Sequence, residues 1–267
     1  MGARISRMTI ETTSLAHSSS VRGEWRSYFA FLRRPRLPAK PTGFSAAAVK
    51  DVLRLYVLDF AFMALLMVAV LLAVSSGTEV PENSVAQLGF GLRTVAAIVL
   101  LAPFVEEIMF RSWLSGRPGH LFLLPILLAA ALIGPAFVQF VAYQILSAQG
   151  GGTLPGPVAF SITAVFFIAI YAAGLFMWRG RPPLRWFARL FPLFYWISTL
   201  GFAFVHVYNF PTSSVWVALP FVLPQLLAGS IFGFARVTYG LWSSILLHTL
   251  HNATIIGLVL TGLYLGN

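Results

Sequence analysis

The 267 residues are 58% hydrophobic and only 10% charged, with a mean hydropathy of +0.82. Soluble domains carry about a quarter charged residues, so this composition excludes an ordinary water-soluble domain and implies a membrane protein. Eighteen Lys and Arg against eight Asp and Glu give +10, of which nine bases and two acids in the first fifty residues supply +7. Charge on a tail beside apolar spans faces anionic lipid headgroups, and no nucleic-acid partner is expected. The absence of Cys excludes disulfides, a thiol nucleophile, thiolate metal sites and iron–sulfur clusters.

In chain order, residues 1–50 are polar, Ser- and Arg-rich, and lack the early apolar core of a cleavable signal peptide. They read as a basic, largely disordered cytoplasmic tail, followed by a single transmembrane helical domain over 51–267. Apolar stretches able to cross roughly 30 Å of hydrocarbon lie at about 54–76, 93–114, 120–147, 157–178, 190–210, 214–235 and 239–264. The expected fold is an all-α polytopic transmembrane bundle of seven spans, or eight if the third is split at Pro125, Gly134 or Pro135. The tail, Arg117, the run Arg179, Arg181, Arg185 and Arg189, and Arg236 fall on one side. Glu79, Glu82 and Gly150-Gly151-Gly152 fall on the other. By the positive-inside rule the N-terminus is cytoplasmic, and a bacterial inner membrane is the expected location. The Arg179–Arg189 stretch reads as an interfacial segment, and Arg93 and Arg236 as interface anchors.

Glu106 and Glu107 are adjacent inside the second span, where ionisable groups are costly and need partners or a wet cavity. Glu107 and Arg111 are i and i+4 and share a helix face, while Glu106 points about 100° away. One carboxylate is therefore neutralised locally and the other is free. Further polar groups at membrane depth are His206, and then His248, His251 and Asn252, with His248 and Asn252 on one face. A carboxylate, imidazoles and an amide can together activate water and meet an oxyanion, as amide hydrolysis requires. Counted at 1.5 Å per residue, Glu106 and His248 lie about 12–15 Å inside the cytoplasmic face and His206 deeper. Asp59, near the cytoplasmic end of the first span, is explained by snorkelling or by a partner such as Arg54, and His251 is expected to act in helix packing.

The motifs Glu106-Glu107-Ile108-Met109-Phe110-Arg111 (EExxxR), Phe202-Ala203-Phe204-Val205-His206 (FxxxH) and His248-Thr249-Leu250-His251-Asn252 (HxxxN) occur in that order on separate apolar segments. In this the chain resembles the CAAX prenyl protease and bacteriocin-processing (CPBP, or Abi) family of intramembrane glutamic endopeptidases, which includes type II CAAX endopeptidase. The resemblance implies that Glu106 and His206 activate the attacking water and that His248 and Asn252 stabilise the oxyanion. Glu107 and Arg111 would orient and balance the site. It further implies a membrane-associated protein or peptide substrate, prenylated or not, and catalysis without a cofactor.

Other mechanisms fit less well. An aspartyl protease needs two Asp in its spans, and none follows Asp59; HExxH is absent. A serine–histidine pair would draw on Ser230, Ser243 or Ser244, which more often serve packing. Zinc held by Glu106, His206 and His248 is the second mechanism. A non-catalytic membrane peptide binder or immunity-type protein is the alternative function.

Overall fold

The first two helices begin at serine caps: the hydroxyls of Ser20 and Ser45 accept from the N–H groups of Gly23 and Ala48, satisfying donors that a helix start leaves open. The computed structural model describes residues 20–87, 89–123, 156–178, 180–211 and 215–266, with isolated positions between 125 and 143. Helix α1 is Val21–Arg33 and α2 is Ala46–Ser75. A broken run follows: α3 (Leu92–Ala96), a π-helical turn (Ala97–Leu101), α4 (Ala102–Arg111) and a 3₁₀ turn (Ser112–Ser115) closed by Gly116 at φ +64°. Next come α5 (Pro118–Leu121), α6 (Gly156–Met177), α7 (Arg185–Arg189) and α8 (Phe191–Val205), which ends in the 3₁₀ turn His206–Asn209. The chain finishes with α9 (Val215–Ala218), a 3₁₀ turn (Leu219–Val222), α10 (Leu223–Thr238) and α11 (Leu241–Gly266).

Among the described residues there is no strand, and the protein is an all-α helical membrane bundle. Among the described residues four helical runs are long and apolar enough to span: Ala46–Ser75, Phe191–Asn209, Val215–Thr238 and Leu241–Leu265. They match the apolar stretches at 54–76, 190–210, 214–235 and 239–264, though the first begins eight residues early. The stretch at 93–114 is the broken run through α4, and that at 157–178 is α6. The third stretch, 120–147, lies largely outside the described residues.

Helix α10 is the hub. Every residue from Ala228 to Thr238 is buried, and the small side chains among them let neighbours approach closely. Tyr195 of α8 lies against Gly233, and its hydroxyl donates to Ser230 O at 2.7 Å, while Phe202 lies against Gly229. The residue numbers rise on α8 as they fall on α10, so these helices are antiparallel. Helices α4 and α8 are antiparallel by the same reasoning: Trp113 meets Phe194, and Ser198 Oγ donates to Phe110 O. Much of the outward surface of α2 is apolar, including Leu65, Leu71 and Leu72, as a lipid-facing helix requires.

The basic tail expected over 1–50 includes residues that the structure folds. Helix α1 packs on α2 and α10, and α2 itself begins at Ala46, before the expected domain limit. Glu24 and Tyr28 are 2% and 1% exposed. The Tyr239 hydroxyl donates to Glu24 Oε1 at 2.7 Å, the Tyr28 hydroxyl bonds Ser230 Oγ at 2.6 Å, and Trp25 Nε1 donates to Arg54 O. Burial pushes the Tyr28 hydroxyl up to about 12, so it remains protonated and able to donate. Composition hid this helix because its outer face carries the arginines while a narrow stripe of Trp25, Tyr28, Phe31 and Leu32 meets the bundle.

Removal of this stripe measures whether α1 is structural. Tyr28→Ala is expected to destabilise the detergent-solubilised protein by about 3 kcal/mol, and Tyr28→Phe by about 1 kcal/mol through loss of the Ser230 bond. Thermal denaturation of the two variants checks this; a loose tail would leave both melting curves unchanged.

Candidate active site

The two carboxylates of α4 occupy different environments, as their 100° separation on a helix requires. Glu107 and Arg111 are each 0% exposed, and Arg111 Nη1 donates to Glu107 Oε1 at 3.0 Å. The same Oε1 lies 3.0 Å from His248 Nδ1 of α11. Arg111 is further enclosed by the ring of Phe202, 3.8 Å from its guanidinium carbon, and its Nη2 reaches Gly229 O at 3.4 Å. Glu106 is 27% exposed at its side chain. Its Oε2 lies 3.9 Å from His206 Nε2 and 3.8 Å from His248 Nε2, and has no hydrogen-bond partner among the described residues.

His206 reaches this position from the end of α8. The helix tightens there into a 3₁₀ turn, so the His206 N–H bonds Ala203 O instead of Phe202 O. Phe202 O is thereby released to accept from His206 Nδ1 at 2.7 Å. That bond orients the ring with Nε2 facing Glu106, and in the neutral form Nε2 carries the lone pair. The FxxxH spacing is thus a helix-end device: one residue supplies the carbonyl that orients the imidazole and the ring that covers Arg111.

Counting from the cytoplasmic end placed His206 too deep to meet Glu106. Side chains lean toward the N-terminus of their own helix, so on antiparallel α4 and α8 Glu106 and His206 lean toward one another and close the difference.

The third motif divides its work. His248 is 3% exposed, stacked on Phe232 at 4.8 Å, and aims one nitrogen at each glutamate. Asn252 Nδ2, one turn on, donates to Ile98 O at 2.8 Å in the π turn that precedes α4. The oxyanion role implied by resemblance would therefore rest on its second amide hydrogen. His251 turns to another face and its Nδ1 lies 2.7 Å from Asp59 Oδ2 on α2, a packing contact reinforced by the Tyr56–Thr254 hydroxyl pair. Ser230, Ser243 and Ser244 each donate to a helical carbonyl.

A family model, Type II CAAX prenyl endopeptidase Rce1-like, matches residues 88–254, which contain all three motifs and more than half of the chain. The chain belongs to this family. The Rce1-like assignment makes it, at family level, a CAAX-type intramembrane protease embedded in a lipid bilayer and acting on membrane-associated protein. No curated protein and no solved structure matches the chain significantly.

Two sequence expectations are corrected. Arg236, expected at the membrane interface, is 5% exposed and donates through Nε to Arg111 O and through Nη2 to Ser112 O, both at 2.9 Å. A cation there satisfies carbonyls at the end of α4 and opposes its dipole. Its position in the last turn of an apolar helix gave no sign of which neighbour it met. Asp59 pairs with His251, and Arg54 instead bonds Asp51 at 2.5 Å, since i, i+3 lies closer than i, i+5 on a helix.

Gly229 admits Arg111 and Phe202 at close range: an added Cβ would lie 2.8 Å from Phe202 Cδ1 and 2.9 Å from Arg111 Nη2. Gly229→Ala is expected to cost about 1–3 kcal/mol in detergent unfolding. Gly257→Ala, where nothing lies within 4 Å, is the helix control and should be neutral or slightly stabilising. Equal melting temperatures for the two variants would show that the Arg111 seat tolerates displacement.

Proposed function

We propose that this protein is a glutamate-dependent intramembrane peptidase that hydrolyses a peptide bond of a membrane-associated, optionally prenylated, protein or peptide. The supporting observation is the convergence of Glu106 Oε2, His206 Nε2 and His248 Nε2 beside a Glu107 already engaged by Arg111. Separations of 3.8 and 3.9 Å are too long for direct hydrogen bonds and suit one water about 2.8 Å from each atom. Glu106 and His206 orient that water and Glu106 takes its proton as oxygen attacks the carbonyl carbon. The carbonyl oxygen becomes an oxyanion, the C–N bond then breaks, and the proton passes to the leaving amine. His248, its Nδ1–H held by Glu107, meets the oxyanion from Nε2 when both ring nitrogens carry protons. Glu107 balances the resulting charge.

The arginine-bearing end of the bundle is the cytoplasmic one in this reading. It gathers α1, α7, the C-terminal ends of α4 and α10 and the starts of α8 and α11. Glu106 then lies roughly 15 Å from that face, above Ser115 by five α-helical residues at about 1.5 Å and four 3₁₀ residues at about 2.0 Å each.

Zinc is the second mechanism for the same three atoms, whose types suit it. Tetrahedral ligands at 2.0–2.1 Å stand roughly 3.3–3.4 Å apart, closer than the observed separations. Among the described residues no group of three His, Asp or Glu gathers as a metal site.

Glu106→Gln keeps the side-chain volume and removes the base. It is expected to lower turnover by about 10²–10⁴-fold while the protein stays folded. Comparing membrane-protein termini in cells carrying native protein and Glu106→Gln identifies substrates, and kinetics on one of them with and without chelator separates the mechanisms. Native turnover by Glu106→Gln overturns the reading; activity lost with a bound metal favours zinc. Identical termini in both cells favour the non-catalytic binder.

A further inference from the structure

The backbone beneath Glu106 contains a gap in its hydrogen-bond ladder that another helix fills. In the π turn the ladder runs five residues back, with the Ala102 N–H donating to Ala97 O. The next rung in that register would join residue 103 to Ile98 O. Residue 103 is proline, which has no N–H. Ile98 O thus loses its backbone donor inside an apolar span, where polar backbone must be satisfied within the protein. Asn252 Nδ2 donates to it at 2.8 Å, from a helix 154 positions away in sequence.

We infer that Asn252 is a positioning residue, whose amide replaces the rung deleted by Pro103 and thereby holds the π turn that aims Glu106 at His206 and His248. A π turn accommodates one extra residue, so it rotates the helix beyond it by about 100° relative to an uninterrupted α-helix. Helix α4 starts at the next residue, and Glu106 lies five positions after the turn. Loss of the turn would carry Glu106 off the face that meets the imidazoles and disturb the Glu107–His248 bond. His248 and Asn252, one turn apart on α11, therefore fix two points of the same run: the carboxylate directly and the backbone that orients it. This explains the HxxxN spacing without requiring Asn252 to touch the substrate. The effect on activity rests on the peptidase reading above; the hydrogen-bond replacement does not.

The test exploits the missing N–H. Asn252→Ala, Pro103→Ala and the double variant are made in the full chain and assayed in detergent for melting temperature and for kcat and KM on an identified substrate. Asn252→Ala is expected to lower Tm and to reduce kcat on the order of 10²-fold, with a smaller change in KM. Pro103→Ala restores a backbone N–H one rung from Ile98 O. In the double variant Tm and kcat should return toward those of Pro103→Ala alone. A side chain contacting the oxyanion could not be replaced by a backbone N–H at 103, so a double variant as slow as Asn252→Ala overturns the inference, as does undiminished kcat in Asn252→Ala. If Asn252→Ala does not fold, a folded double variant supports it and an unfolded one overturns it. If native protein shows no peptidase activity, the proposed function falls separately. The Tm cycle then decides: recovery in the double variant supports the replaced rung, and strict additivity overturns it.

Discussion

Glu107 Oε1 is the point on which the site depends. One buried oxygen accepts from Arg111 one turn along its own helix and from His248 on α11. At 0% exposure neither charge of the Glu107–Arg111 pair has water to solvate it, so removing one partner costs about 3–5 kcal/mol and leaves the other stranded. A pair so constrained fixes the rotation of α4. Because Glu106 is the next residue, it also fixes which way the second carboxylate faces. The His248 ring carries that constraint to the third motif, placing one nitrogen on Glu107 and the other near Glu106.

Around this pair the packing is aromatic and small-residue rather than polar. Phe202 covers the Arg111 guanidinium and contacts both imidazoles, at ring-centroid separations of 4.8 Å to His206 and 5.5 Å to His248. Gly229 permits that approach. Between helices in lipid no hydrophobic force favours association, so close contact and hydrogen bonds must hold the bundle. The bonds from Ser198 to Phe110 O, Tyr195 to Ser230 O and Arg236 to Arg111 O show how side chains here stitch one helix to the backbone of another.

The division between the two glutamates was legible in the sequence because it is a property of one helix: i, i+4 pairing selects Glu107 for Arg111 and leaves Glu106 on another face. His251 as a packing residue was legible for the same reason, lying off the His248–Asn252 face, although its partner Asp59 was not. Helix α1 escaped because it lies in a polar, arginine-bearing stretch while a narrow stripe that includes Trp25, Tyr28, Phe31 and Leu32 meets the bundle. Arg236 escaped because burial of an arginine depends on carbonyls that other helices present. Asn252 was singled out by the motif, yet its bond to Ile98 O needed the π turn to be seen; Pro103 inside the second apolar stretch was the available signal.

By itself the sequence determined that the protein is a membrane-embedded helical bundle, which apolar run lengths dictate, and that three motif-bearing segments hold its ionisable groups, since few others lie at membrane depth. Spacing along single helices also determined which of those groups share a face. The tertiary structure decided what sequence distance conceals: that antiparallel α4 and α8 bring Glu106 within 3.9 Å of His206, and that α11 supplies both His248 and the donor for Ile98 O. Helical periodicity is local and can be read from residue order. The meeting of side chains from different helices depends on their packing, rotation and lean, which no single segment encodes.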